Sequence, residues 1–468
     1  MASFNAERFY LLLVISSITW PCMISVAIVT HLPGFPGALP FRLETGYVNV
    51  NEVKQASLFY YFIESERNAS EDPLVLWLTG GPGCSSFYGL VREIGPIRFK
   101  EVPYDGTLPT LISNPYAWTK FVSIIFLDWP TGTGFSFSRN VTYYNADDTK
   151  SSKQICKFIN QWFLDHPHFL SNPFYVGGNS YGGKMSPIVT RLVSQGIEEG
   201  QHPLINLKGY LAGNPQTGDV SDRNSRVSYA HGVGIISDEL FESIQRSCAG
   251  EDHRNPRSIW CIEQIKIFNG FVDELMLDNI LAPKCLVESP KPNMVKQEGD
   301  RYLLEEKPTE LLIPPPVPDI KCTTYASYLA YHWANANVTR KALHVVEGTV
   351  KEWQICNHDM FYSYMAIDSS IPYHLDLITK GYRALIYSGD HDLGMPYVGT
   401  MEWINPLNLS ILESWRSWHV DGQVGGYTVR YSNNLTFATV KGGGHEPSKE
   451  RNKETSTMFY RWISHKPL

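Results

Sequence analysis

Short apolar runs recur along the chain, and most of them close on Gly, Pro or Asp. They cover residues 74–78, 123–128, 174–176, 208–211, 384–387 and 436–440. Such runs read as strands buried on both faces, the pattern of a parallel sheet. A different period fills some of the gaps. Residues 147–166 carry Ile155, Phe158, Ile159, Trp162 and Phe163 at helical spacing, and Pro167 ends the pattern. Met185, Ile188, Val189 and Leu192 mark a second helix after the 174–176 run. This alternation predicts an α/β fold, with a mostly parallel central sheet and helices on both faces.

From residue 218 to residue 324 the strand-like runs vanish. Helix-like and charged stretches replace them, followed by a polar segment and Pro314-Pro315-Pro316. The expectation is an inserted helical cap with an exposed linker near 288–318, set between core segments 29–217 and 325–468.

Composition narrows the picture. The chain is 43% hydrophobic and 13% aromatic, which suits a globular protein, and its net charge of −7 lacks the basic footprint of a nucleic-acid binder. Arg8 precedes an apolar run at 9–20, with the small residues Ser25 and Ala27 after it. That order predicts a cleaved signal peptide over residues 1–28. The run falls short of the roughly 20 apolar residues of a stable membrane span, and no second candidate follows. Asn68, Asn140, Asn337, Asn408 and Asn434 head N-x-S/T sequons, as expected of a secreted or vacuolar glycoprotein.

Cys22 falls in the presumed leader. Seven of the 8 cysteines remain (8 − 1): Cys84, Cys156, Cys248, Cys261, Cys285, Cys322 and Cys356. Three disulfides and one free thiol are the simplest account. The absence of C-x-x-C argues against a zinc or redox site. Cys156 lies on the apolar face of the 147–166 helix and reads as a buried structural thiol.

The chemistry centres on Gly178-Asn179-Ser180-Tyr181-Gly182, a G-x-S-x-G stretch with a strand before it and a helix after it. That is the context of a nucleophile elbow, in which a strained turn lifts a serine above the sheet over a helix N-terminus. Gly178 to Lys184 also spells the start of a phosphate-binding loop, and the run ending at Asp128 could pass for its magnesium strand. The residue after the lysine should then be Ser or Thr, and it is Met185. A serine nucleophile needs a base and an orienting acid, and in α/β-hydrolases they follow in the chain order serine, acid, histidine. Asp390 and Asp392 both lie just past the 384–387 strand. His445 follows the 436–440 strand and a run of three glycines. Spacing alone does not choose between the two acids. The oxyanion needs two backbone donors: Tyr181 after the nucleophile, and Gly81 in the Gly-rich loop that follows residues 74–78.

Taken together, these residues resemble the serine carboxypeptidase-like family. The matches are Leu76-Trp77-Leu78-Thr79-Gly80-Gly81-Pro82-Gly83-Cys84-Ser85-Ser86, Gly132-Thr133-Gly134-Phe135-Ser136, the elbow, Ser388-Gly389-Asp390-His391-Asp392 and Gly442-Gly443-Gly444-His445. The similarity runs from about Leu32 to Trp462. It implies an α/β-hydrolase core, a triad of Ser180, Asp392 and His445, and oxyanion donors at Gly81 and Tyr181. It also implies disulfides Cys84–Cys356, Cys248–Cys261 and Cys285–Cys322, and neither metal nor cofactor.

The family holds carboxypeptidases and plant acyltransferases that move an acyl group from a glucose ester to an alcohol-type acceptor. The peptidases usually place Asn before the Gly-Gly-Pro-Gly and Glu before the serine, the Glu sharing a proton with a neighbouring acid. Here those positions are Thr79 and Asn179, while Glu93 is retained. Thr79, Gly80, Glu93 and Asn179 are the expected substrate-binding residues. Thr79, the stretch from Asp421 to Tyr427 and the stretch from Val440 to His445 are typical of the acyltransferases. Three departures stand out: Asn179 where those enzymes carry Asp, Trp129 in the Asp-x-Pro stretch, and Glu446-Pro447-Ser448-Lys449-Glu450 after the histidine. The expected partners are a small acyl donor and acceptor, or else a peptide C-terminus.

Overall fold

The computed structural model describes residues 26–285, 317–364 and 366–468. The expected signal peptide (up to residue 25) and the expected linker (up to residue 316) lie outside them.

The described residues form a 12-stranded sheet. In chain order its strands are β1 (Ala27–Val29), β2 (Leu43–Asn51), β3 (Ala56–Ile63), β4 (Leu74–Leu78), β5 (Ser123–Leu127), β6 (Phe137–Ser138), β7 (Phe174–Asn179), β8 (Leu207–Gly213), β9 (Arg383–Gly389), β10 (Ile411–Val420), β11 (Gln423–Tyr431) and β12 (Leu435–Val440). The spatial order is β1-β2-β3-β5-β4-β7-β8-β9-β12-β11-β10, with β6 beside β3. The six strands from β5 to β12 in that order are parallel. Antiparallel strands flank them on both edges.

Alternation within the central strands explains why both faces are covered. On β4, Leu74, Leu76 and Leu78 meet Ile155, Phe158 and Trp162 of α1 (Asp148–Asp165) and Met185 and Ile188 of α2 (Tyr181–Glu198). Val75 and Trp77 point the other way, into a cluster with Trp118, Trp333 and Phe459. Each such side chain stabilises the fold by roughly 1.5–3 kcal/mol. Helix α1 starts where Asp147 accepts a hydrogen bond from the Lys150 N–H at 2.7 Å, and it stops before Pro167.

The strands run further than their apolar cores. β7 continues through Gly177, Gly178 and Asn179 because the backbone there is crowded rather than loose. A Cβ on Gly178 would lie 2.4 Å from the Gly182 carbonyl oxygen, and one on Gly182 would lie 1.9 Å from that of Leu78. Strand β2 of the β2–β3 hairpin escapes an apolar-run reading because it buries Glu44 and Thr45 with partners. Tyr60 OH donates to Glu44 at 2.8 Å, and Thr45 Oγ1 donates to the Leu343 carbonyl at 2.8 Å.

After β8 the described chain turns helical: α3 (Ser221–Gly232), α4 (Asp238–Ser247) and α5 (Ile259–Val272). Cys248–Cys261 joins the end of α4 to α5, and the other two disulfides are Cys285–Cys322 and Cys84–Cys356. Cys156 is the free cysteine among the described residues, its thiol pushed up to about 12 by burial.

Asp128, at the end of β5, ties two loops beneath the sheet's edge. Its carboxylate accepts from Ser85 Oγ (2.6 Å), Ser86 N (2.8 Å) and Phe135 N (2.9 Å), and the residue is fully buried. These bonds bind the Gly80–Ser86 and Gly132–Ser136 stretches into one unit. Burial dominates its titration and pushes the carboxyl up to about 7 against those donors. Asp128→Ala strands three donors. We expect it to cost about 3 kcal/mol or more in denaturant unfolding, since each unmet buried donor costs about 1–3 kcal/mol. Wild-type stability in that variant would show that the two loops hold without it.

Candidate active site

Ser180 sits between β7 and α2 with φ 58° and ψ −121°, a strained setting for a residue with a side chain. Its N–H donates to the Gly213 carbonyl at 2.9 Å, and its side chain is part-exposed. Helix α2 begins at Tyr181, so unpaired N–H groups and the positive end of the helix dipole lie beneath the serine.

The Gly-rich loop after β4 packs against this turn. A Cβ on Gly80 would lie 2.7 Å from Ser180 Cβ and 3.1 Å from Tyr181 N. Gly81 has φ 119°, a region side chains avoid, and a Cβ there would meet Cys84 Sγ at 2.8 Å. The Gly80–Gly81 backbone and the Tyr181 N–H therefore converge on one serine. Thr79 beside them is buried, its hydroxyl without a hydrogen-bond partner.

Asp392 and His445 arrive from the ends of β9 and β12. His445 Nδ1 lies 2.7 Å from Asp392 Oδ2, and Asp392 is fully buried. Asn214 Nδ2 donates to the same oxygen at 2.7 Å, and Met395 N donates to Oδ1 at 3.1 Å. Asp390, the acid left open by spacing, instead accepts from Gly442 N at 2.7 Å and so shapes the glycine run before the histidine. Asn179 Nδ2 donates to the His445 carbonyl at 3.0 Å, which fastens the residue before the serine to the histidine's own backbone.

Sequence reading missed Asn214. It sits just past β8 with φ 38°, its N–H on the Tyr387 carbonyl (2.7 Å) and its Oδ1 on Gly389 N (3.2 Å). The signal available was Gly213-Asn214-Pro215, a turn at a strand's C-terminal end beside the elbow's strand.

A second charged group lies against the histidine. Glu446 carries an ion pair with Arg92 (2.9 Å) and accepts from Tyr88 OH. Glu93 is buried, accepts from Trp77 Nε1 at 2.9 Å, and is pushed up to about 8 by burial and by Glu446. At neutral pH Glu93 thus tends to hold a proton while Glu446, favoured by Arg92 and Lys449 against its own burial, is ionised. Among the described residues no group of three His, Cys, Asp or Glu is placed to hold a metal ion, and no helix is long and apolar enough to cross a membrane.

Burial pulls the proton affinity of His445 down. Asp392, by charge and by hydrogen bond, outweighs it, with help from Asp278 and Glu446, and the imidazole is pushed up to about 10. The arrangement stabilises an imidazolium, the form a histidine takes after accepting a serine's proton.

Three comparisons place the chain among known proteins. A family model described as serine carboxypeptidase matches residues 33–465. "Serine carboxypeptidase-like 3" and "Serine carboxypeptidase-like 16" of Arabidopsis thaliana are each 46% identical to it, over 446 and 441 residues. They cover 95% and 94% of this chain and 94% of each relative. The crystal structure of KEX1(delta)p, a prohormone-processing carboxypeptidase from Saccharomyces cerevisiae, superposes with a TM-score of 0.70 at 18% identity. It covers 91% of this chain and 92% of that one, a likeness of fold.

The electrostatics can be read directly. In Asp392→Asn the largest upward pull on His445 is gone while burial remains, so its titration should fall from well above the usual 6.5 to near or below it. Nitrogen-15 NMR of the ring would show the drop; an unchanged midpoint would remove Asp392 as its cause.

Proposed function

Because the chain belongs to the serine carboxypeptidase family of serine-triad enzymes, we propose that it moves an acyl group from a glucose ester to an alcohol-type acceptor, through an acyl-enzyme on Ser180. His445 takes the Ser180 proton as Oγ attacks the ester carbonyl. The tetrahedral oxyanion lies on the N–H groups of Gly81 and Tyr181. Collapse expels glucose, which receives the proton from His445. The acceptor hydroxyl then repeats the sequence in reverse: its proton goes to His445, its oxygen bonds the acyl carbon, and Ser180 recovers its proton. Asp392 holds the imidazole tautomer and balances its positive charge.

One observation carries the choice of acceptor. Position 179, directly before the nucleophile, holds an amide already committed to the His445 carbonyl rather than an acid able to grip a peptide's carboxylate. A second reading, release of C-terminal amino acids, draws on Glu93, a buried acid that tends to stay protonated beside Glu446 and could donate to a carboxylate. Helices α3 to α5 serve in either case as a cap over the core, inserted between 218 and 324. Passage through the secretory pathway fits the sequons, with Asn68, Asn337, Asn408 and Asn434 exposed and Asn140 half-buried.

The two readings separate in one assay. Purified protein is offered acyl-glucose esters with alcohols, and in parallel blocked dipeptides. Ester transfer should dominate, and Ser180→Ala should lower it at least about 1,000-fold with the thermal midpoint kept. Rapid amino-acid release without transfer would reverse the order, and a fully active Ser180→Ala would reject the nucleophile.

A further inference from the structure

The turn after α5 is where the helical segment meets the loops bearing the acid and the base. Four consecutive residues do the joining. The Leu277 carbonyl accepts from Leu393 N (2.9 Å) and Gly394 N (3.0 Å), the two residues after Asp392. The Asp278 carbonyl accepts from His445 N at 2.6 Å. Ile280 N donates to the His391 carbonyl at 3.1 Å. Between them Asn279 is buried, and its Nδ2 donates to Glu450 Oε1 at 2.9 Å. Glu450 Oε2 in turn accepts from Gly444 N, the residue before the histidine. The fit leaves no slack: a Cβ on Gly444 would lie 2.2 Å from the Asp278 carbonyl oxygen and 2.7 Å from Asn279 Cβ.

Helix α3 adds two holds on the acid loop. Tyr229 OH donates to the Asp390 carbonyl at 2.6 Å, and the Arg226 guanidinium donates to the Gly394 carbonyl at 2.8 and 3.0 Å. The loops that carry Asp392 and His445 leave neighbouring strands, and just past the strand ends they bond each other, His391 N to the Gly443 carbonyl at 2.8 Å and Gly442 N to the Asp390 carboxylate at 2.7 Å. Beyond the strand ends, the turn at 277–280 grips both loops at once.

We propose that Asn279 and Glu450 are positioning residues for the acyl-transfer reaction: through them the turn at 277–280 sets the His445 backbone against the Asp392 loop. Neither side chain touches the imidazole. Glu450 acts on Gly444, and Asn279 orients Glu450. The helical segment thereby does more than cover the core, because its last turn adds a hold on the loops of both acid and base. The inference rests on the triad reading above. It also gives a use to the unusual stretch after the histidine, whose glutamate at 450 supplies the anchor.

The test uses the full-length protein with a p-nitrophenyl ester as substrate and diisopropyl fluorophosphate as a serine-directed probe. Asn279→Ala and Glu450→Ala should each lower kcat and the rate of phosphorylation of Ser180 by about 10- to 100-fold. A misplacement of about 1 Å near a reacting centre has an effect of that size. KM should stay within about twofold, and the final labelling stoichiometry should equal that of wild type. Glu450→Gln keeps one acceptor for Gly444 and should retain more rate than Glu450→Ala. Rates within twofold of wild type would overturn the proposal. So would losses that match a reduced labelling stoichiometry, since those report unfolded molecules, or a Glu450→Gln no better than Glu450→Ala. Ser180→Ala is run beside them: labelling that persists there rejects the triad reading itself, a result separable from all of these.

Discussion

The site depends on one carboxylate taken wholly out of water. Asp392 has no exposed surface, and its two oxygens are held from three directions, by His445 Nδ1, Asn214 Nδ2 and the Met395 N–H. A buried charge without such partners would lose its ionisation or unfold its surroundings. The requirement reaches outward. Asn214 must sit with positive φ at the end of β8, its amide oxygen must hold Gly389 N, and β8 and β9 must be neighbours in parallel register. The sheet order is therefore a condition for this carboxylate as much as a scaffold for it.

Much of this was legible in the sequence, for reasons that differ by element. The central strands announced themselves because burial on both faces demands unbroken apolar runs, as in β4 and β5. The elbow was legible because tight packing admits only glycine, at Gly178 and Gly182. The glycine run before His445 pointed to the histidine. Choosing between Asp390 and Asp392 on the residues alone failed, since both lie just past β9 and the choice depends on which way each side chain turns; the family likeness indicated Asp392. Asn214 was invisible for a related reason: an asparagine after a strand is an ordinary turn residue until the acid it supports is known. Strand β2 hid because its buried polar residues are satisfied by distant partners, such as Leu343 for Thr45 and His166 for Glu44.

The acids around the histidine divide by function of environment. Asp392 is bonded to the imidazole, Glu446 is neutralised by Arg92, Glu93 accepts from Trp77 and is pushed up by burial, and Glu450 is spent on backbone and amide donors. Further carboxyl groups, Asp278 among them, lie near His445, and Asp392 is the one bonded to its ring. That partition lets a chain with net charge −7 crowd acids near a base without cancelling them into a featureless negative patch.

The Cys84–Cys356 link spans 272 residues and anchors the loop that packs against Ser180. Closing a ring of that length withdraws about 6 kcal/mol of freedom from the unfolded chain on a simple entropy model. A recombinant host whose cytosol keeps thiols reduced would forfeit that contribution and leave the Gly80–Ser86 loop to its hydrogen bonds, those to Asp128 among them. Yield of competent enzyme is therefore a question of oxidative maturation in the producing cell before it is one of catalysis.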